Sequence, residues 1–122
     1  MKKILIVDDD PITLKMIGQY LFSEGYDIVT AIDGFNALEK IKKNKMDLII
    51  SDVMMPNLSG LTLLSIAKEF HHKTPIIFIS SLDHGDIISK SVGLGVDDFI
   101  VKPIDLANLS IRIKKLLESA AS

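Results

Sequence analysis

Five polar residues stand directly at the ends of apolar runs, where they could act together in one site. Asp8 and Asp9 follow the first run, Asp52 and Ser80 end two others, and Lys102 follows the last. Apolar runs without polar alternation are typical of strands that are buried on both faces of a parallel sheet. The carboxyl ends of such strands share one edge, where α/β proteins bind their ligands. We therefore expect the five side chains to converge.

The chemistry of this set favours a hard cation. Carboxylates that lie close together repel one another and resist ionisation unless a positive charge is near. Asp8, Asp9 and Asp52 offer only oxygen ligands, with no His or Cys among them. Such ligands suit Mg²⁺, which takes few protein ligands and keeps several waters. Lys102 would add a fixed positive charge.

A cation, a lysine and a hydroxyl around one carboxylate form a site suited to phosphoryl transfer, which depends on positioning and charge stabilisation. Asp52 would be the nucleophile, since carboxylates can form acyl phosphates. Lys102 and the Ser80 hydroxyl would bind phosphoryl oxygens. A single Asp at a strand end is more often a helix cap, and Asp10, which precedes Pro11, is predicted to be one. Capping does not explain the charges at several strand ends together.

The elements that would position these residues alternate between strands and helices along the whole chain. Predicted strands are Ile4–Val7, Tyr26–Ala31, Met46–Asp52, Pro75–Ile79 and Asp97–Val101. Predicted helices start after Asp10, Asp33, Gly60, near Asp86, and after Asp105, with inner stripes such as Leu63, Leu64, Ala67 and Phe70 in the third. This alternation predicts a flavodoxin-like (βα)5 fold of class α/β, doubly wound, with a five-stranded parallel sheet in order 2-1-3-4-5.

Composition supports a single domain, residues 1–122, without a strong electrostatic partner preference. The chain is 48% apolar and has a formal net charge of -2. Disorder, nucleic-acid binding by bulk charge and anionic membrane binding are therefore not expected. The absence of cysteine excludes disulfides, thiolate metal sites and cysteine nucleophiles. Residues 1–7 are too few for a signal peptide or a membrane span, so we expect a soluble cytoplasmic protein.

Four segments together, in order and at matching spacing, resemble a response-regulator receiver domain, the phosphoacceptor module of two-component signalling. The resemblance extends from Lys2 to about Leu117. The matching segments are Ile6–Pro11, Asp47–Pro56 with Gly60, Pro75–Ser80 and Gly95–Pro103.

The resemblance implies a role for each residue of the site. Asp52 is similar to the phosphorylated aspartate of the family. Asp8 and Asp9 resemble the acidic pair that holds Mg²⁺ together with Asp52 and the backbone carbonyl of Met54. Lys102 resembles the lysine that contacts the phosphoryl group.

The resemblance also implies a switch. Ser80 is similar to the switch hydroxyl and Phe99 to the switch aromatic, although Phe replaces the commoner Tyr there. The Lys102–Pro103 peptide resembles the family's cis bond. The implied donor is a sensor histidine kinase or a histidine phosphotransfer protein. After transfer, Ser80 would move toward the phosphoryl group and Phe99 would turn inward. A downstream protein would then bind the face formed by helix 4, strand 5 and helix 5, where a phosphorylation-dependent dimer could also form.

We expect the chain to act as a signalling switch and not as an enzyme in the usual sense. Two other functions compete with this interpretation. A pseudo-receiver would bind partners without phosphorylation, but the acidic, hydroxyl and lysine residues of the site are all present. A metal-dependent phosphatase would form an aspartyl phosphate as an intermediate, but position 54 is Met rather than an acid, and no cap insertion is present. A flavin carrier is disfavoured because the acidic loop after strand 1 would repel a phosphate.

Overall fold

The computed structural model describes residues 1–55, 58–71, 73–81 and 85–121. Pro56 of the resemblance therefore lies outside the described residues. The elements are β1 (Lys3–Val7), α1 (Pro11–Ser23), β2 (Asp27–Ala31), α2 (Gly34–Lys43), β3 (Leu48–Asp52), α3 (Gly60–Phe70), β4 (Ile76–Ser80), α4 (Gly85–Gly93), β5 (Asp98–Val101) and α5 (Leu106–Ala121).

The five strands form one parallel sheet in the order β2-β1-β3-β4-β5, which confirms the predicted fold. Each strand is followed by a helix, so every connection between parallel strands carries a crossover helix. The sheet order places β1 and β3 side by side, with β4 on the far side of β3 and β5 beyond it. The carboxyl ends that carry the acidic residues are therefore adjacent.

Among the described residues, side-chain caps start four of the helices where the sequence predicts them, and at α3 the cap is the Ser59 hydroxyl, which accepts from the Thr62 N–H at 3.3 Å. The Asp10 carboxylate accepts a hydrogen bond from the Ile12 N–H at 3.1 Å, and Pro11 is the first residue of α1. Asp33 and Asp105 accept in the same way at the starts of α2 and α5. Among the described residues, no helix combines the length and the apolar character needed to cross a membrane.

Apolar side chains cover both faces of the sheet, which explains why the strands lack polar alternation. One cluster includes Leu14, Ile17 and Leu21 of α1 and Leu109, Ile113 and Leu117 of α5. The opposite cluster includes Ala37 and Ile41 of α2 and Leu63, Leu64 and Ala67 of α3. The prediction that Phe70 faces the core is wrong, because its side chain is 52% exposed. It is the last residue of α3, and the Lys42 ammonium lies 5.7 Å from its ring centroid.

A polar network fastens the amino edge of the sheet, opposite the acidic residues. The Asp97 carboxylate accepts hydrogen bonds from the Ile76 N–H at 2.8 Å and from the Lys68 ammonium at 2.9 Å. Lys68 also donates to the Thr74 carbonyl at 3.0 Å. These bonds connect the end of α3 to the starts of β4 and β5.

Candidate functional site

Asp52 ends β3 and lies at the centre of the site. Its residue surface is only 6% exposed. One carboxylate oxygen, Oδ2, lies 3.1 Å from the Lys102 ammonium, and the other, Oδ1, accepts a hydrogen bond from the Met54 N–H at 3.1 Å. Each oxygen therefore has a partner that stabilises its negative charge. The predicted convergence of Asp52 and Lys102, which are 50 residues apart, is confirmed.

Close backbone packing fixes the chain that leaves β3. The Ser51 hydroxyl donates to the Asp52 carbonyl at 2.9 Å, and the Gly60 N–H donates to the Val53 carbonyl at 3.0 Å. A Cβ added at Gly60 would lie 2.7 Å from the Val53 Cα and 2.9 Å from the Asp52 carbonyl oxygen. Glycine is therefore required where α3 begins, because a side chain there would push against the backbone that carries Asp52.

The three consecutive aspartates after β1 have different environments. Asp8 is buried, and its Oδ1 accepts a hydrogen bond from the Asp10 N–H at 2.9 Å. Asp9 is exposed. The Asp10 side chain turns to α1 and accepts from the Ile12 N–H and the Thr13 hydroxyl, which lower its pKa below the usual value, the Thr13 bond most. Asp10 is therefore a cap, as predicted, and Asp8 and Asp9 remain for the site.

Burial and neighbouring charges shift the pKa values of Asp8 and Lys102. Burial is the main cause that raises the pKa of Asp8 from 3.8 to about 6, and the charge of Asp52 adds to it against the lowering effect of the Asp10 N–H. Partial burial lowers the pKa of the Lys102 ammonium, but the hydrogen bond and charge of Asp52, with the charges of Asp8 and Asp9, raise it overall. Lys102 therefore stays protonated in this acidic setting.

The donor set fits a hard cation. Asp8, Asp9 and Asp52 each offer a carboxylate oxygen, and these three oxygens lie within 4.8 Å of one another. Among the buried side-chain polar atoms of the described residues, Asp8 Oδ2 is the one without a hydrogen-bond partner. A buried carboxylate oxygen without a partner is costly, and a bound cation would satisfy it. Oxygen ligands of this kind match Mg²⁺.

Ser80 and Lys102 reach the same edge from neighbouring strands. Ser80 ends β4 and is buried, and its hydroxyl donates to the Ser81 carbonyl at 3.3 Å. Its own carbonyl accepts from the Lys102 N–H at 2.9 Å, which ties the end of β4 to the residue after β5. The Lys102–Pro103 peptide is cis, as the resemblance implies.

Phe99 lies on β5 and is half-buried. Its ring contacts Phe78 of β4, with ring centroids 5.9 Å apart. Sequence reasoning did not identify Phe78 or Ser51, although each lies within two residues of a predicted site residue. Phe78 stands two residues before Ser80 on the strand, and residues two apart on a strand share a face. This spacing would have placed the Phe78 ring on the same face as the Ser80 hydroxyl.

Comparison with known proteins decides the family. The family model of the response regulator receiver domain matches residues 4–114. The chain belongs to the response regulator receiver domain family. It is 37% identical over 119 residues to the chemotaxis protein CheY of Treponema pallidum, covering 95% of this chain and 83% of that protein. It is also 37% identical to the transcriptional regulatory protein PcoR of Escherichia coli, covering 100% of this chain and 54% of that protein.

Solved structures agree with this assignment. A CheY-like receiver domain protein from Methanospirillum hungatei superimposes with a TM-score of 0.96 at 30% identity, covering 99% of this chain and 97% of that one. A two-component response regulator from Clostridium difficile superimposes with a TM-score of 0.94 at 28% identity, with full coverage of both chains. The chain spans about half the length of the transcriptional regulators it matches, such as PcoR at 54%.

Family membership establishes the general function. The chain is a phosphoacceptor receiver domain of two-component signalling and acts as a signalling switch. Response regulators work with sensor histidine kinases, and receiver domains generally bind Mg²⁺. The acidic cluster of Asp8, Asp9 and Asp52 could hold such a metal.

Proposed function

We propose that Asp52 is the phosphoacceptor of this receiver domain and that the donor is a phosphohistidine on a sensor histidine kinase or a histidine phosphotransfer protein. An oxygen of the Asp52 carboxylate forms a bond to phosphorus while the phosphorus–nitrogen bond of the donor breaks. The electron pair of that bond returns to the imidazole nitrogen. Residues 1–122 act as one domain, and the domain catalyses its own phosphorylation rather than turning over a substrate.

The chain's own residues position and stabilise the reacting groups. Before transfer, the Lys102 ammonium contacts Asp52 Oδ2 at 3.1 Å. After transfer, it binds the phosphoryl oxygens, which then carry the negative charge. The Ser80 hydroxyl donates to another of these oxygens. The Met54 N–H keeps the Asp52 carboxylate oriented through its 3.1 Å bond to Oδ1. Because Asp52 is nearly buried, the donor must bring the phosphoryl group to the acceptor from the open edge of the sheet.

Mg²⁺ is the cofactor that the acidic cluster fits. Asp8, Asp9, Asp52 and the backbone carbonyl of Met54 would hold it. When bound, it supplies positive charge that offsets the carboxylates and stabilises the charge on the transferring phosphoryl group. The partnerless oxygen of Asp8 is the observation that carries this assignment.

The output is a change of surface on the side of β5. The Ser80 hydroxyl moves toward the phosphoryl group, and this movement changes the face formed by α4, β5 and α5, to which the Phe99 ring contributes. A downstream protein, or a second copy of this chain, binds that face in one state better than in the other. No part of the proposal requires nucleic acid or a membrane to bind this domain.

The ion pair and hydrogen bond on the two oxygens of buried Asp52, beside the partnerless Asp8 oxygen, together carry the proposal. The test incubates the chain with acetyl phosphate and Mg²⁺. We expect an acid-stable phosphoryl group that base and hydroxylamine remove, as for an acyl phosphate. It should be lost in Asp52→Ala and in chelator, and retained in Asp97→Asn, which alters the opposite edge of the sheet.

The same experiment separates the alternatives. A chain that never acquires the phosphoryl group with any donor would be a pseudo-receiver, and the proposal would fail. Steady release of phosphate from added phosphomonoesters would instead identify a phosphatase. Label that persists in Asp52→Ala would assign the acceptor to another residue.

A further inference from the structure

The ring of Phe99 has a fixed aromatic partner beneath it. Phe78 and Phe99 are opposite each other in the register of β4 and β5, so their side chains project from the same face of the sheet. Their ring centroids are 5.9 Å apart and their planes meet at 67°, which is an edge-to-face arrangement. Phe78 is 0% exposed within the cluster under α2 and α3. Close packing there leaves its ring little room to move away from Phe99.

Phe78 also belongs to the strand that carries the switch hydroxyl. It stands two residues before Ser80 on β4, and residues two apart on a strand share a face. The buried ring of Phe78 therefore shares one face of the sheet with both residues of the proposed switch.

The backbone of Phe99 is held, so its ring moves by side-chain rotation. Arg112 of α5 donates to the Phe99 carbonyl at 3.3 Å and also pairs with the Asp98 carboxylate at 2.6 Å. Phe99 has no hydroxyl group, so a ring turned toward solvent gains no hydrogen bond in exchange for the lost contact. An edge-to-face pair alone favours the paired arrangement by about 2- to 10-fold in population.

We propose that Phe78 presets the switch: its ring holds Phe99 in the inward position, packed on β4, before any phosphoryl group is present. The proposal rests on the proposed function at Asp52. Phosphorylation then acts chiefly through Ser80. In the unphosphorylated chain, the face formed by α4, β5 and α5 already has the shape that it takes when the Phe99 ring points inward. The phosphorylated and unphosphorylated forms therefore differ less at β5 than they would without an aromatic residue at position 78.

The ring position can be measured directly by NMR on the full chain labelled with 4-fluorophenylalanine for fluorine spectra and with ring-protonated phenylalanine for nuclear Overhauser effects. The chain has 5 phenylalanines, and Phe99→Leu identifies the resonance of Phe99. Without phosphodonor, we expect an Overhauser effect between the Phe78 and Phe99 rings. Acetyl phosphate with Mg²⁺ should then shift the Phe99 resonance only slightly.

The decisive variant is Phe78→Leu, which removes the aromatic partner but keeps an apolar side chain. We expect its Phe99 resonance to shift before phosphorylation, as the inward-to-outward ratio falls by about 2- to 10-fold. Acetyl phosphate should then produce a larger shift than in the wild type. Ile49→Val, a small change in the same core cluster, is the matched control and should leave the Phe99 resonance near its wild-type position.

Two results would overturn the preset switch. One is the absence of the Overhauser effect in the unphosphorylated wild type, which remains decisive even if Phe78→Leu does not fold. The other is a Phe99 resonance that is the same in Phe78→Leu and in the wild type. Failure of the proposed function would look different, because acetyl phosphate would then leave no phosphoryl group on Asp52 while the measurements made without phosphodonor would be unaffected.

Discussion

Replacing Asp8 by Asn should stabilise the metal-free chain, even though Asp8 belongs to the proposed site. Burial raises the pKa of the Asp8 carboxyl from 3.8 to about 6. A shift of that size corresponds to about 3 kcal/mol of unfavourable free energy for the ionised form. Because the neighbouring Asp9 and Asp10 are exposed, solvent screening reduces this figure, so we expect Asp8→Asn to raise the free energy of unfolding by roughly 1–3 kcal/mol in chelator at about pH 8.

The sign of the pH dependence follows from the direction of the shift. Because the folded-state pKa of Asp8 lies above its unfolded value, the folded chain binds more protons between about pH 4 and pH 6. The contribution of Asp8 to the free energy of unfolding therefore falls as the pH rises through that window. The stability difference between Asp8→Asn and the wild type should thus be small at about pH 4 and reach its full size above about pH 6.

Urea unfolding at several pH values, with and without Mg²⁺, measures these effects. Saturating Mg²⁺ should stabilise the wild type, by about 2.7 kcal/mol at 100 times the dissociation constant, and should change Asp8→Asn much less. Asp10→Asn is the matched control, since Asp10 caps α1 and its pKa is lowered. It should lose stability above its unfolded pKa and keep the full response to Mg²⁺. The reasoning would be refuted if Asp8→Asn were no more stable than the wild type in chelator, or equally stabilised at low and high pH.

Three further substitutions test other parts of the structure. Gly60→Ala should lower the free energy of unfolding by about 1–3 kcal/mol in urea, since its Cβ would lie 2.9 Å from the Asp52 carbonyl, whereas Gly85→Ala, with open space around it, should be neutral. Lys102→Met should slow labelling by acetyl phosphate yet tighten Mg²⁺ binding by titration calorimetry, because it removes a positive charge beside Asp52; weaker binding would contradict this. Asp97→Ala should lower the free energy of unfolding by about 1–3 kcal/mol, because it leaves the Ile76 N–H unpaired. It should not change the rate of labelling by acetyl phosphate.

The fold was predictable because its strongest signals are local. Runs such as Leu48–Ile50 are apolar on both faces of the sheet, and caps such as Asp10 with Pro11 mark helix starts through bonds that span only two or three residues. Once the alternation of strands and helices is read, the carboxyl ends of the strands must share an edge. The convergence of Asp52 with Lys102 therefore follows from topology without any knowledge of contacts.

Features that depend on exact distances were not predictable. Helical spacing places Phe70 on the inner stripe of α3, but spacing cannot show that the last turn extends past the covered core. Periodicity likewise does not reveal that the Asp97 carboxylate turns to the Ile76 N–H rather than to solvent. The Phe78–Phe99 contact requires the register of β4 and β5, which is fixed by the packing of both strands against the whole sheet.

Among the residues that the structure describes, the surroundings of Asp52 carry more negative than positive charge, which favours a bound cation. Among the described residues, Lys102 is the cationic side chain that forms an ion pair with Asp52, while Asp8 and Asp9 place two further carboxylates nearby. A phosphoryl group on Asp52 would make the side chain more negative, from a charge of one negative unit to about two. The burial that makes Asp8 costly to ionise also leaves its Oδ2 without a partner, so the feature that destabilises the metal-free chain is the one that binds a cation when the acceptor is charged. Phosphorylation should therefore need a higher Mg²⁺ concentration to reach half its maximal rate as the pH falls toward 6, because protons then compete with Mg²⁺ for Asp8; labelling by acetyl phosphate over a series of Mg²⁺ concentrations at each pH measures this.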